Sequence, residues 1–210
     1  MSSDQELMSR ITSDWGAIIA QACHLSSVPP EFLAALTANE SGGDPNATRF
    51  ELSIYQRLRA VHEGRASQFW NITGNALADE LLEMALPYDD TPKADPDAMQ
   101  VPIFGKLPED VDDQDLRALA TSWGLTQIMG YQMIGRRGTV ATLLDPPEHY
   151  RIALELLAEF AQHCGLDVTA EFEQMFRCWN TGRPDGKTYD SAYVPNGLAR
   201  MKLYRGESHV

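Results

Sequence analysis

The sequence predicts a mainly α-helical protein with little or no β structure, read as one domain over residues 1–210. Three observations carry that expectation. Apolar residues recur at helical spacing along most of the chain. Proline and glycine stand where helices start and stop. Strand-like alternation is scarce, and neither an internal repeat nor a second core is visible. A chain of 210 residues buries roughly 70% of its unfolded surface, enough for a core without cross-links.

The elements follow in order. Residues 4–25 read as a helix, with Leu7, Ile11, Trp15, Ile18, Ile19, Ala22 and Cys23 near helical spacing. "SSVPPEFLAALTANE" is a second helix, with Ser26 or Ser27 as cap, Pro29 or Pro30 in the first turn and Gly42 or Gly43 ending it. "DPNATRFEL" has room for a short extended piece. "ELSIYQRLRAVHEG" continues as a helix with Leu52, Tyr55, Leu58 and His62 on one face, and "NALADELLEMAL" (75–86) is another. An Asp- and Pro-rich stretch, 88–115, reads as an exposed loop or insertion. "DPPEHYRIALELLAEFAQHCG" starts on prolines and stops at Gly165. "DVTAEFEQMFRCWNTG" and "SAYVPNGLARMKLY" complete the helical set.

Composition narrows the functions. The net charge of −13 repels phosphate-rich partners, which argues against nucleic acid and anionic membrane surfaces. No apolar run approaches the ~20 residues of a membrane span. The N-terminus "MSSDQELMSRITSDWG" lacks the apolar core of a signal peptide. Action outside the cell is therefore expected to require another export route. The three cysteines, 23, 164 and 178, read as buried free thiols, with a disulfide between two of them left open. The five histidines show no metal-binding spacing and read as surface or core residues. "DDTPKADPDAMQ" (89–100) lacks the glycine and glutamate of a calcium loop. No metal or organic cofactor is implied.

One stretch calls for a chemical explanation. The apolar run "EFLAAL" leads to Glu40 and then breaks at once into Ser41, Gly42, Gly43, Asp44 and Pro45. A carboxylate in the last turn of a helix faces the negative end of the dipole, and burial acts in the same direction. Both favour the protonated acid, which glycoside cleavage requires near neutral pH. The competing reading is a solvated C-terminal glutamate followed by a routine glycine stop. Local sequence leaves both standing and favours the second.

Other segments shift the balance. "ESGGDPNA" (40–47), "SWGLTQIMG" (122–130) and "CWNTG" (178–182) resemble, in that order, the three motifs of the soluble lytic transglycosylases and goose-type lysozymes. Arg49-Phe50-Glu51 after the first motif and Ser-Trp-Gly within the second are similar to the N-acetylmuramidase domains of phage endolysins. The resemblance covers about 28–204. It implies a lysozyme-like fold with a long acidic insertion at about 87–115. Glu40 would be the general acid, and Gln127 and Asn180 would contact sugar or orient the site. Trp179 would stack on a sugar ring or fill the core. Ser41 and Tyr193 would line the substrate site. Glu51 is the candidate second carboxylate, with a salt bridge to Arg49 or Arg57 as its structural alternative; Asp44 is a weaker candidate, since Asp before Pro shapes turns. Trp123 and Met129 read as packing and Ser122 as a helix cap.

The implied partner is the glycan strand of peptidoglycan, cut at the β-1,4 bond between N-acetylmuramic acid and N-acetylglucosamine. Without a second carboxylate the muramic 6-hydroxyl attacks and an anhydro sugar results; with one, water attacks. Two other classes remain: an inactive lysozyme-like binding module, and a hydrolase of chitin or chitosan, whose cationic polymer suits the acidic chain. The stretch between the first and second motifs is longer than in the transglycosylases and closer to the muramidases.

Overall fold

The computed structural model describes residues 3–85 and 108–206. Most of the acidic insertion, including 89–100, lies outside the described residues. The described chain is mainly helical. Its helices are α1 (Ser3–Cys23), α2 (Pro30–Glu40), α3 (Leu52–His62), α4 (Gly74–Ala85), α5 (Pro108–Leu119), α6 (Pro146–Cys164), α7 (Phe172–Thr181) and α8 (Tyr193–Tyr204). Five short strands accompany them: β1 (Thr48–Phe50), β2 (Gln68–Phe69), β3 (Ile72–Thr73), β4 (Thr121–Trp123) and β5 (Ile128–Met129). β1, the extended piece expected in "DPNATRFEL", is therefore present.

The sequence reads as one domain, and the fold divides into two compact units. The first comprises residues 1–48, 123–128 and 141–210; the second comprises 49–122 and 129–140. The first unit is built around α2. From Phe32 to Ala38 every residue of this helix is buried, as expected of a helix apolar on all sides. It lies against α1 and α8, and α6 and α7 complete the packing. Phe32 meets Phe176 of α7 with ring centroids 4.5 Å apart. The Thr37 hydroxyl would be unsatisfied there, and it bonds to the Leu33 carbonyl oxygen at 2.9 Å and to the Tyr150 hydroxyl at 3.1 Å. No serine side chain caps the N-terminus of α2: Pro29 is the cap residue, and Ser26 accepts instead from the Val28 N–H at 3.1 Å. α6 stops at Gly165 and α7 at Gly182, both in the left-handed conformation.

The second unit has its own core. Tyr55, Leu58 and Val61 of α3, Leu77 and Leu81 of α4, and Leu116 and Leu119 of α5 pack with Phe69 and Ile72. The expected face of α3 is thus corrected: Leu52 is 57% exposed and His62 is exposed, while Val61 is buried. The α3 face turns inward only from Tyr55, because Leu52 occupies the first turn. β2 and β3 form an antiparallel hairpin, Phe69 opposite Ile72. Two further expectations change here. Residues 108–115 belong to α5 rather than to a loop, because Leu116 and Leu119 must reach the core and Asp113 pairs with Arg117 one turn on at 2.7 Å. Ser122 is a buried strand residue, not a helix cap, and its hydroxyl donates to the Arg49 carbonyl oxygen at 3.3 Å.

Among the described residues, no helix is long and apolar enough to cross a membrane. Cys23 and Cys178 are buried and Cys164 is half-buried, all three as free thiols. His24, His62 and His163 are exposed and His149 is buried.

Candidate active site

Glu40 is the last residue of α2, so the buried helix delivers its carboxylate to the end of the first unit's core. The chain must then turn away at once. Ser41 closes the helix, its N–H bonding to the Thr37 carbonyl. Gly42 and Gly43 follow at φ 63° and 89°, a backbone region that side chains resist. Nothing lies within 4 Å of a Cβ placed on Gly42, whereas one on Gly43 would sit 2.6 Å from the Ile11 side chain. Gly43 therefore admits α1, and the Trp15 indole N–H fastens it there by donating to its carbonyl oxygen at 3.0 Å. Asp44 shapes the turn, accepting from the Asn46 N–H at 2.9 Å.

The Tyr193 hydroxyl donates to Oε1 of Glu40. Tyr193 begins α8 and is buried. Burial, the charge of Glu40 and the hydrogen bond to it hold the phenol well above its ordinary range, and only Asn39 opposes this. Tyr193 thus remains a proton donor toward Glu40 at any working pH. A bond donated to a carboxylate favours its charged form, whereas the helix C-terminus favours the acid. Tyr193 is itself braced. Asn39 donates to the Tyr193 carbonyl oxygen at 2.9 Å and accepts from Arg200 at 2.7 Å. Arg200 is in turn paired with Asp4 at 2.8 Å.

The second motif forms a tight turn, Gly124 to Gln127. Gly124 (φ 69°) and Gln127 (φ 55°) both occupy the left-handed region, and the Gln127 N–H closes the turn on the Gly124 carbonyl at 3.2 Å. Ser41, Ala47, His149 and Trp179 hold this turn. Ser41 Oγ donates to the Leu125 carbonyl oxygen at 2.7 Å. Gly124 N–H donates to the Ala47 carbonyl at 2.8 Å, and the Gln127 side-chain amide donates to that same oxygen at 2.9 Å. The Trp179 indole N–H, from the third motif, donates to the Thr126 carbonyl oxygen at 3.0 Å. His149 Nε2 accepts from the Thr126 N–H at 2.9 Å, and its Nδ1 lies 2.8 Å from the Leu143 carbonyl. That arrangement requires the neutral ring with hydrogen on Nδ1. Burial lowers the His149 pKa to about 4, with the Leu143 bond opposing, so the neutral form is secure near pH 7.

The structure therefore pairs Glu40 with Tyr193, and sets Ser41, Gln127 and Trp179 on the turn at 124–127. Ser41 and Trp179 use their polar atoms to hold the turn, and the ring of Trp179 stands edge-on to Phe160 with centroids 6.2 Å apart. Asn180 follows Trp179 on α7 and is exposed. Glu51 belongs to the second unit, where its N–H donates to the Ala120 carbonyl at 2.9 Å and its carboxylate pairs with Arg49 at 2.7 Å. Arg49, not Arg57, is the ion-pair partner. Trp123 and Met129 are half-buried strand residues. Sequence reasoning passed over Asn39, His149 and Arg200. His149 had a signal, its helical spacing with Ile152, Ala153 and Leu156 on the buried face of α6; Arg200 and Asn39 had none, being set together only by the packing of α2 on α8.

A concavity of about 900 Å³ opens elsewhere in the first unit, lined by Ile18, Ala22, Leu25, Leu154 and Ala158 among others. None of the candidate residues lines it, and Arg151 there is paired with Glu148 and Glu155. Its mainly aliphatic lining does not suit a sugar polymer. No protein-family model matches the chain, and neither does any curated protein or solved structure.

Proposed function

We propose that this protein is a peptidoglycan-cleaving muramidase with a lysozyme-like fold, acting on the β-1,4 bond between N-acetylmuramic acid and N-acetylglucosamine. Glu40 is its general acid. One observation carries the reading: a carboxylate at the end of a buried helix accepts from a buried tyrosine, beside a turn held by residues of all three motifs.

In this reading Glu40 protonates the glycosidic oxygen as the bond opens through an oxocarbenium-like state. The carboxylate left behind is stabilised by the Tyr193 hydroxyl, which lowers the cost of giving up the proton. Glu40 then serves as base toward the incoming hydroxyl. The pairing of Glu51 with Arg49 favours Glu40 working as acid and then base, with the muramic 6-hydroxyl as nucleophile. The enzyme then acts as a lytic transglycosylase and leaves an anhydro end.

The test is mass spectrometry of soluble products from purified peptidoglycan, wild type beside Glu40→Gln. Wild type should release anhydro-muramic ends, and the variant should fall by roughly 10²–10⁴-fold. Hydrated reducing ends would instead assign hydrolysis and return Glu51 to the catalytic set. Equal release by both proteins would remove Glu40 from the role, and no release by folded wild type would reject the muramidase reading.

A further inference from the structure

Cys164 and Cys178 are fourteen positions apart in sequence, yet their sulfurs lie 3.7 Å apart. Cys164 is the last residue of α6 and Cys178 lies within α7. Cys178 is fully buried and Cys164 is half-exposed. We propose that these two thiols form an intramolecular disulfide in oxidising surroundings, and that the bond clamps α7 to the end of α6. This inference does not rest on the muramidase reading.

The geometry favours this pair over any other. A disulfide needs sulfurs at about 2.05 Å, so the gap must close by less than two ångströms. Turning the side chains about their Cα–Cβ bonds moves sulfurs over that range. Cys164 has room to turn, because it ends its helix and Gly165 follows in the left-handed conformation. Cys23, by contrast, is buried within the last turn of α1.

The chemistry is a two-electron oxidation, and a peroxide is a sufficient oxidant. The half-exposed Cys164 sulfur attacks one peroxide oxygen and becomes a sulfenic acid, releasing water. Cys178 then attacks that sulfur, loses its proton and expels hydroxide, which leaves as a second water. The two thiols lose two electrons and two hydrogens, and the peroxide gains them. Burial, reinforced by Cys164, raises the Cys178 thiol to about 12. Cys178 is therefore a poor first target, and the reaction begins at Cys164.

The clamp bears on the candidate site through the chain itself. Cys178 directly precedes Trp179, whose indole N–H holds the Thr126 carbonyl. Fixing Cys178 fixes the base of that contact.

The experiment treats the full chain with dilute hydrogen peroxide, then alkylates it under denaturing conditions without reductant. The expected result is a monomer that takes up one label, at Cys23, and yields a Cys164–Cys178 cross-linked peptide. Its melting temperature should rise by roughly 5–10 °C and return on reduction, and amide exchange around Trp179 should slow. Cys23→Ser should behave like wild type, and Cys164→Ser should show no shift. Three labels after oxidation, a bond through Cys23, a cross-linked dimer, or Cys164 carried to sulfinic acid beside a free Cys178 would each overturn the proposal. An intact Cys164–Cys178 bond that leaves both melting and exchange unchanged would overturn the clamp.

Discussion

Acidification should loosen this fold through one buried ring. His149 is fully buried, donates from Nδ1 to the Leu143 carbonyl and accepts at Nε2 from the Thr126 N–H. Protonating it puts a second N–H against an amide N–H and leaves a charge in the core. Burial places its folded pKa at about 4, below the ordinary 6.5, despite the opposing Leu143 bond. Between those values the unfolded chain binds more protons than the folded one, so stability rises with pH across that window. The contribution is present above about pH 6.5 and is lost as pH falls toward 4. At about 1.4 kcal/mol per pH unit the whole window is worth roughly 3 kcal/mol, of which roughly 2 is lost between about pH 7.5 and pH 5. For a chain of this size that lowers the melting temperature by about 4–8 °C. Urea unfolding at both pH values, wild type beside His149→Gln, isolates the effect. Glutamine keeps an acceptor for Thr126 and does not titrate. It should be less stable at neutral pH yet lose about 2 kcal/mol less on acidification. Equal losses in the two proteins would refute the linkage and the neutral-ring assignment.

Three further substitutions carry expected outcomes of their own. Tyr193→Phe removes the donor from Glu40, so kcat should fall by roughly 10-fold or more and the alkaline limb of the pH–rate profile, where the general acid loses its proton, should move upward; a profile that stays in place would separate Tyr193 from the acid. Gly124→Ala places a Cβ 2.5 Å from the Leu143 carbonyl oxygen and 2.7 Å from His149 Nδ1, in a left-handed backbone. It should destabilise by about 3 kcal/mol or more in denaturant titrations, and a neutral result would contradict the turn geometry. Trp70, 56% exposed at φ 54°, stands where glycine is favoured. Trp70→Gly should raise stability by about 1 kcal/mol by calorimetry, and a clear loss would show that the ring is held by packing.

Much of the helical framework is legible from local signals. α2 reads as a core helix because its apolar residues run continuously from Phe32, and its end at Glu40 reads from the glycines that follow. α6 and α7 read from their glycine stops. Where the reading slipped, burial of distant residues decided. Leu52 is apolar and exposed, Val61 completes the α3 face, and the acidic residues 108–115 join α5 because Leu116 and Leu119 need a helix to reach the core. The candidate site is legible as motifs but not as contacts. Nothing local to Ser41 or Trp179 shows that their polar atoms hold the turn at 124–127.

The sequence by itself determined the helical class, the helix that ends in a carboxylate, and the glycine break that turns the chain from it. These depend on periodicity, on dihedral freedom and on dipole direction, all properties of neighbouring residues. Only the tertiary structure decided that Tyr193 donates to Glu40, that a neutral His149 holds Thr126, that Arg49 answers Glu51, and that Cys164 meets Cys178. Each of these joins groups that are remote or weakly constrained along the chain. Their meeting is set by how α2, α6, α7 and α8 pack in the first unit, and by the path of the backbone around Arg49 in the second.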